Sequence, residues 1–415
     1  MAKNGLWLSM LACAALPAMA ADPATIDWTK IPASSVMLFY PGQSSYEWLR
    51  SNDHGKGKGA KAVRDGGTCV KCHDGDERSM GESIVKGGAL EPAPVKGKNG
   101  ALELKVQAAY DDKNAYLRFQ WRTHAGRAGT AYPSYRFDGT EWKVHGFPKL
   151  DKVVQDGKQP GIYEDRLSLM IDDGKVSGFG RQGCWLTCHN GLRDMPKEIS
   201  KADAQSAMKK DDVRKYLPAS RSNPEDPKSV KSAEEIARIK AAGGFLDLMQ
   251  WRAHRSNPVG GADDGYVLEY RNFDSGKNHF ASNFDGAKKA PKLMFTPGKK
   301  GEFLIQGVNA VPFDAGAGWK AGEMLPRYYL QPKDASGSAA DNKATGAWKD
   351  GEWTVVLVRP LGLANADDKA LKEGGVYSVG FAVHDDNITT RGHHVSFVRT
   401  LGIGADAAIR AVKLP

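Results

Sequence analysis

Beyond its first twenty residues the chain lacks any apolar run of the ~18 residues that a membrane-spanning helix needs, so no transmembrane helix is expected in the mature protein. It also lacks a stripe of one charge sign. Lys and Arg number 58 against 49 Asp and Glu, a formal net charge of +9, and the two signs are interspersed. That argues against nucleic acid as a partner and fits a partner with an acidic face. Long helical patterns are few, whereas Gly is abundant at 47 residues, which favours a β-rich, loop-rich protein. With 41% apolar and 26% charged residues among 415, the chain is no disordered tail and can form one large domain or two ordinary ones. Cysteine is scarce, at five residues.

The N-terminus has the layout of a secretory signal. Lys3 supplies a positive start, Leu6 to Leu16 a short apolar core, and Ala18-Met19-Ala20 a cleavage site. Export to the periplasm and a mature start at Ala21 are expected, with residues 1–20 removed. Met10-Leu11-Ala12-Cys13 makes a poor lipidation site, too early in the apolar run. Four cysteines then remain: Cys69, Cys72, Cys184 and Cys188. In an oxidising compartment two disulfides would be the plain reading. Their spacing points elsewhere.

Residues 21–95 are rich in Pro, Gly and Ser, alternate little, and contain the run His54-Gly55-Lys56-Gly57-Lys58-Gly59. They read as a loop-rich N-terminal module wrapped around something other than its own side chains. Pro92 to Gly100 reads as a domain edge, and residues 96–415 as a second domain. From residue 101 the pattern has period two. Leu102–Val106 and Ala115–Trp121 flank an Asp111–Asn114 turn, a hairpin signal. Further strands are expected at Arg166–Ile171, Tyr266–Tyr270, Phe303–Val308, Trp353–Val358, Tyr377–Val383 and His394–Thr400. Many strands between turn clusters predict a mainly β protein built on an antiparallel sandwich. A short helical insertion is expected at Ala202–Leu217 and Ser232–Ala242, the second with a capping box from Ser232 and Glu235.

Cys69-Val70-Lys71-Cys72-His73 is the attachment signature of a c-type haem. Two thiols about one turn apart add across the haem vinyl groups, and the adjacent imidazole of His73 reaches the iron from the same side. A redox disulfide or half a zinc site would need a different setting. Cys184-Trp185-Leu186-Thr187-Cys188-His189 carries one extra residue, a looser form of the same motif. No cysteine is then left over, and two covalent haems are expected, with His73 and His189 as iron ligands.

Each iron has a sixth position. His54, fifteen residues before Cys69 in the Gly-rich run, is the first choice for one haem, with Met80 as competitor. For the second haem His254 comes first and His124 next. His384, His393 and His394 are weaker candidates because strand-end histidines are often structural, and Met195 and Met249 remain open. Trp121, Trp185 and Trp251 suit either a haem face or an ordinary core. Arg252 and Arg255 suit haem propionates or a plain surface.

Several stretches go beyond motifs. Asp165-Arg166-Leu167-Ser168 leading to Cys184 and His189, Trp251 to Pro258, Ala262 to Tyr266, Arg359-Pro360-Leu361, Phe381 to Asp386 and His394 to Phe397 together resemble the ethylbenzene dehydrogenase-like haem-binding family. Pro41-Gly42-Gln43-Ser44 to His54-Gly55, followed by the first motif, resembles its dihaem c-type branch. The resemblance spans about residues 37–404. It implies a β-sandwich that carries haem and exchanges electrons with a molybdenum enzyme. Relatives of that family hold one non-covalent haem through Met and Lys, a ligation that the Cys184 motif does not let us carry over. The expected function is a periplasmic dihaem c-type cytochrome that transfers electrons to or from a redox partner, either a molybdopterin enzyme or another cytochrome. The alternative is a haem enzyme, such as a dihaem peroxidase with an open iron.

Overall fold

The hairpin read at residues 102–121 forms as expected. The computed structural model describes residues 22–149, 152–362, 365–385 and 392–415, so the signal expected at residues 1–20 lies outside the described residues. Thirteen strands form one large sheet. In chain order they are β1 (Ala33–Phe39), β2 (Ala101–Tyr110), β3 (Asn114–Arg122), β4 (Arg166–Asp172), β5 (Leu246–Arg252), β6 (Gly265–Val267), β7 (Arg271–Phe273), β8 (Lys343–Lys349), β9 (Glu352–Pro360), β10 (Val376–His384), β11 (His394–Ser396), β12 (Arg399–Ile403) and β13 (Ile409–Lys413). Their spatial order is β8-β9-β3-β2-β1-β11-β10-β4-β5-β6-β7, with β12 pairing β10 and β13, and β13 pairing β2. All neighbours run antiparallel except where β13 joins β12 and β2.

The sheet folds over on itself. Leu104, Val106, Leu117, Phe119 and Trp121 from one half share a single apolar core with Leu167, Leu169, Trp251, Val379 and Phe381 from the other. Phe119 meets Phe381 edge to face with ring centroids 5.8 Å apart, and Trp251 meets Trp353 at 4.8 Å, although neither pair sits on neighbouring strands. This is the expected mainly β, antiparallel sandwich.

The period of two has a second consequence. β4 is buried along nearly its whole length: Leu167, Leu169 and Ile171 enter the core, while Arg166, Ser168 and Met170 face the opposite side. Residues between β4 and β5 cover that outer face, and a cavity forms beneath them. This covering segment holds the two expected helices. One runs from Lys201 to Met208, ending where Lys209 turns left-handed (φ 57°), well short of the expected Leu217. Leu217 is instead extended, donating its N–H to Leu268 O, and precedes Pro218, which disfavours helix before it. The other runs from Ala233 to Ala241, with the capping box of Ser232 and Glu235 formed as expected.

Three strand expectations differ. Residues 303–308 make only bridges at Ile305 and Gln306, because Gly307 (φ 77°) reverses the chain and Ile305 O accepts three successive N–H groups. Tyr266–Tyr270 is cut short as Leu268 N–H bonds Tyr270 O in a turn. His394–Thr400 divides into β11 and β12. The N-terminal segment, conversely, contributes β1 to the middle of the sheet and carries helices at Lys58–Arg64 and Glu77–Ile84. Trp251, fully buried between Trp121 and Trp353, anchors the core. Trp251→Ala should cost ~3–5 kcal/mol, read as a lowered urea midpoint with an unchanged slope.

Candidate functional site

Two cavities lie on the outer side of the sandwich, one around each cysteine pair. No disulfide joins the described cysteines. The first cavity, of about 480 Å³, is bounded by residues 39–90 together with Trp185 and Phe397. Cys69, Cys72, His54, His73 and Met80 all face it. The short helix Val70–His73 brings both thiols and the imidazole to the same wall. Burial raises the Cys69 thiol to about 11, so that sulfur is held protonated.

His54 lies opposite His73. Their ring centroids are 6.2 Å apart and their planes differ by 22°. Nδ1 of His54 donates to Leu49 O at 2.9 Å, which leaves Nε2 as the lone-pair nitrogen. Gly59 makes room for that ring, because a Cβ there would lie 2.8 Å from three of its atoms. A metal bound by two imidazoles, each nitrogen about 2 Å away, separates the ring centroids by about 6 Å. The residues present therefore fit an iron held between His54 and His73 in an apolar pocket. Met80 is on the same wall.

The second cavity, of about 560 Å³, lies on the outer face of β10, β4 and β5. Both volumes fall within the ~300–1,000 Å³ of small-molecule and cofactor sites. Cys184 and Cys188 line it. Gly380 on β10 lets Cys184 approach: a Cβ at Gly380 would sit 2.9 Å from the sulfur. The rest of the wall is strongly cationic, with Arg166, Arg193, Arg214, Arg252, Arg255 and Arg271 among its residues. Burial, then Arg252, Arg166 and Arg214, push the Arg271 guanidinium well below its ordinary value. Burial would raise the Tyr163 phenol, yet Arg166, Arg255 and Arg252 outweigh it and lower it. Such a cavity suits a bulky group bearing carboxylates.

The structure separates the candidates. Arg252 and Arg255 reach the second cavity, as do Met195, His384 and His393. His189 and His254 are not on its wall. His189 is fully buried, with Nδ1 2.7 Å from Glu47, Nε2 3.2 Å from Tyr216 O, and its ring stacked on Tyr216 at 3.7 Å. Desolvation lowers its basicity against the pull of Glu47. His254 is buried with Nδ1 3.1 Å from Thr130 O. Met249, Trp121 and Trp251 belong to the sandwich core. His124 lies just beyond β3 and donates its backbone N–H to Asp385. His394 is buried with Nε2 3.0 Å from Asn99 O.

Trp185 borders both cavities. It stacks on Phe39 at 5.5 Å, lies 5.7 Å from Phe397, and donates its indole N–H to Ser44 Oγ at 2.9 Å. Most arginines of the wall were missed from the sequence. The available signal was the alternation of β4, where the polar Arg166, Ser168 and Asp172 interleave with Leu167, Leu169 and Ile171.

Compared with known proteins, the chain matches the family described as ethylbenzene dehydrogenase over residues 25–396. The chain belongs to this family. It is 30% identical over 399 residues to cytochrome c-552 of Stutzerimonas stutzeri, covering 95% of this chain and 93% of that one. It is also 27% identical over 171 residues to cytochrome c-551 of Rhodocyclus tenuis, covering 41% of this chain and 58% of the relative. These likenesses support an electron-transfer role for this member of the ethylbenzene dehydrogenase family. Among the described residues no helix is long and apolar enough to cross a membrane.

Below the second cavity, Glu164 is fully buried and bonds Arg255 Nε at 2.5 Å. It also accepts the N–H groups of His254 and Arg255. Burial alone would raise its carboxyl, but Arg255, Arg252 and His254 hold it below the ordinary 4.5. Its contribution to stability is therefore present above pH 4.5 and lost as pH falls through the lower folded value. Glu164→Gln should cost ~3–5 kcal/mol at pH 7, because it strands a buried guanidinium. In urea titrations the gap from the parent should narrow as pH falls below 4.5.

Proposed function

We propose that this protein is a periplasmic c-type cytochrome holding two covalent haems and passing single electrons to and from a redox partner. The opposed imidazoles of His54 and His73 beside Cys69 and Cys72 carry this reading. Haem supplies the one-electron redox chemistry. Cys69 and Cys72 would tether the first haem, and His73 and His54 would both hold its iron, which would exclude exogenous ligands and favour electron transfer over catalysis there. Phe39, Trp48 and Phe397 supply apolar cover.

Cys184 and Cys188 tether the second haem, and arginines of the wall pair with its propionates. His189 is the imidazole that the motif itself offers, but Glu47 and Tyr216 hold it away from the cavity. We therefore favour His384 or His393, which line the cavity, as the source of axial ligation there, with His189 and His254 as the alternatives. Trp185, common to both walls, would stand between the two haems as an aromatic contact. The net charge of +9 suits an acidic docking face on the partner, a molybdopterin enzyme or another cytochrome. The signal-like residues 1–20 support export of the chain.

Intact-mass measurement of the mature protein should give two haem additions, and the double variant Cys184→Ala/Cys188→Ala one. A single addition in the parent would remove the second haem from the proposal. His54→Ala should turn one haem partly high-spin and able to bind carbon monoxide. A spectrum identical to the parent's would exclude His54 as a ligand. The same measurement on His384→Ala, His393→Ala, His189→Ala and His254→Ala identifies the ligands of the second iron. Carbon monoxide binding by the parent itself would favour the open-iron enzyme instead.

A further inference from the structure

Away from both cavities, six aspartates, Asp247, Asp264, Asp274, Asp341, Asp367 and Asp368, gather where β5, β6 and β7 meet the loop after β9. Most of them are nearly inaccessible to solvent, and so many buried carboxylates require compensation. Protein cations supply little of it. Arg359 pairs with Asp247 and lies 3.8 Å from Asp368, whereas Lys369 Nζ turns away to Asp173, at 2.6 Å, and to Gly243 O. Within the group, one carboxylate oxygen from each of Asp274, Asp367 and Asp368 lies within 4.8 Å of the others.

Asp274 decides the matter. It is only 6% exposed, and neither of its carboxylate oxygens has a hydrogen-bond partner. Its two companions are already oriented. Asp367 accepts from Ser275 N at 3.2 Å and Ser338 Oγ at 3.0 Å, and Asp368 accepts from Asn365 Nδ2 at 3.2 Å. Each of their oxygens keeps a second lone pair for another partner.

We propose that Asp274, Asp367 and Asp368 form a calcium site. Calcium takes oxygen ligands at ~2.3–2.6 Å, so oxygens up to 4.8 Å apart can all contact one ion. The donor set is wholly hard oxygen, with neither sulfur nor imidazole, which disfavours zinc and copper. The site also has a structural purpose. Asp274 directly follows β7, the strand that brings Arg271 and Phe273 to the second cavity. A bound ion would tie the end of that strand to the loop bearing Asp367 and Asp368, bracing the cationic wall.

The test uses the full-length haem-loaded protein, dialysed against EGTA and then against chelator-free buffer, and titrated with CaCl2 by calorimetry. One calcium per chain is expected, with a raised melting temperature by circular dichroism and a smaller rise with MgCl2 at equal concentration. Asp274→Asn and Asp367→Asn should each weaken calcium binding at least tenfold and abolish the thermal shift. Asp112→Asn, at an exposed site, should leave both unchanged. If the parent takes up no calcium and its melting temperature is indifferent to both CaCl2 and EGTA, the carboxylates are simply protonated and the proposal falls. It falls equally if folded Asp274→Asn and Asp367→Asn proteins bind calcium as the parent does. Two haems in the intact mass alongside either result would keep the haem assignment separate from this one.

Discussion

Burying one guanidinium needs a partner, and burying many around one space constrains everything near it. Here β4 and β5 project Arg166 and Arg252 outward from the sandwich, β7 adds Arg271, and the covering segment adds Arg193 and Arg214. Part of this charge is met internally. Arg252 pairs with the buried Asp263 and Arg255 with Glu164. Arg271 and Arg166 each retain a buried Nε without a partner. Arg193 and Arg214 meet Asp212, so the unmet donors are those two Nε atoms, on the wall that Cys184 and Cys188 also line. The outer face of the sheet is thus an anion-receiving surface, while the inner face is a conventional apolar core.

The two cavities are not independent. Trp185 follows Cys184 directly, yet its ring closes the wall of the first cavity. Ser44, from the N-terminal segment, accepts the indole N–H, and its carbonyl lies 3.6 Å from the Cys188 sulfur. Glu47, from the same segment, reaches His189 and the N–H of Asn190. The segment that builds one site therefore also secures the other.

Local patterns were readable wherever the chemistry is local. The Cys69 motif, the alternation of β2, β3 and β10, and the Ser232–Glu235 cap each depend on residues a few positions apart. β1 was illegible because Ser34 and Ser35 blur its alternation, and only pairing with β2 and β11 makes it a strand. The helix expected through Leu217 failed because a tertiary bond to Leu268 outweighed local preference. His254 looked promising among Trp and Arg neighbours, but β5 ends before it and its ring turns toward Thr130. The acidic group joins residues 247 to 368 and has no signature within any short window.

The position of β1 has a consequence for how the molecule is assembled. Leu38 pairs with Ser396 and Ala108 with Ala411, so both seams between the halves of the sheet are closed by strands near the C-terminus. Contacts so distant in sequence form late, after the intervening chain is available. A chain emerging N-terminus first exposes Cys69 and Cys72, and then Cys184 and Cys188, before either seam can close. The haem attachment proposed for those thiols would have its natural interval there, while the pockets are still open strips of polypeptide and before the last strands seal them.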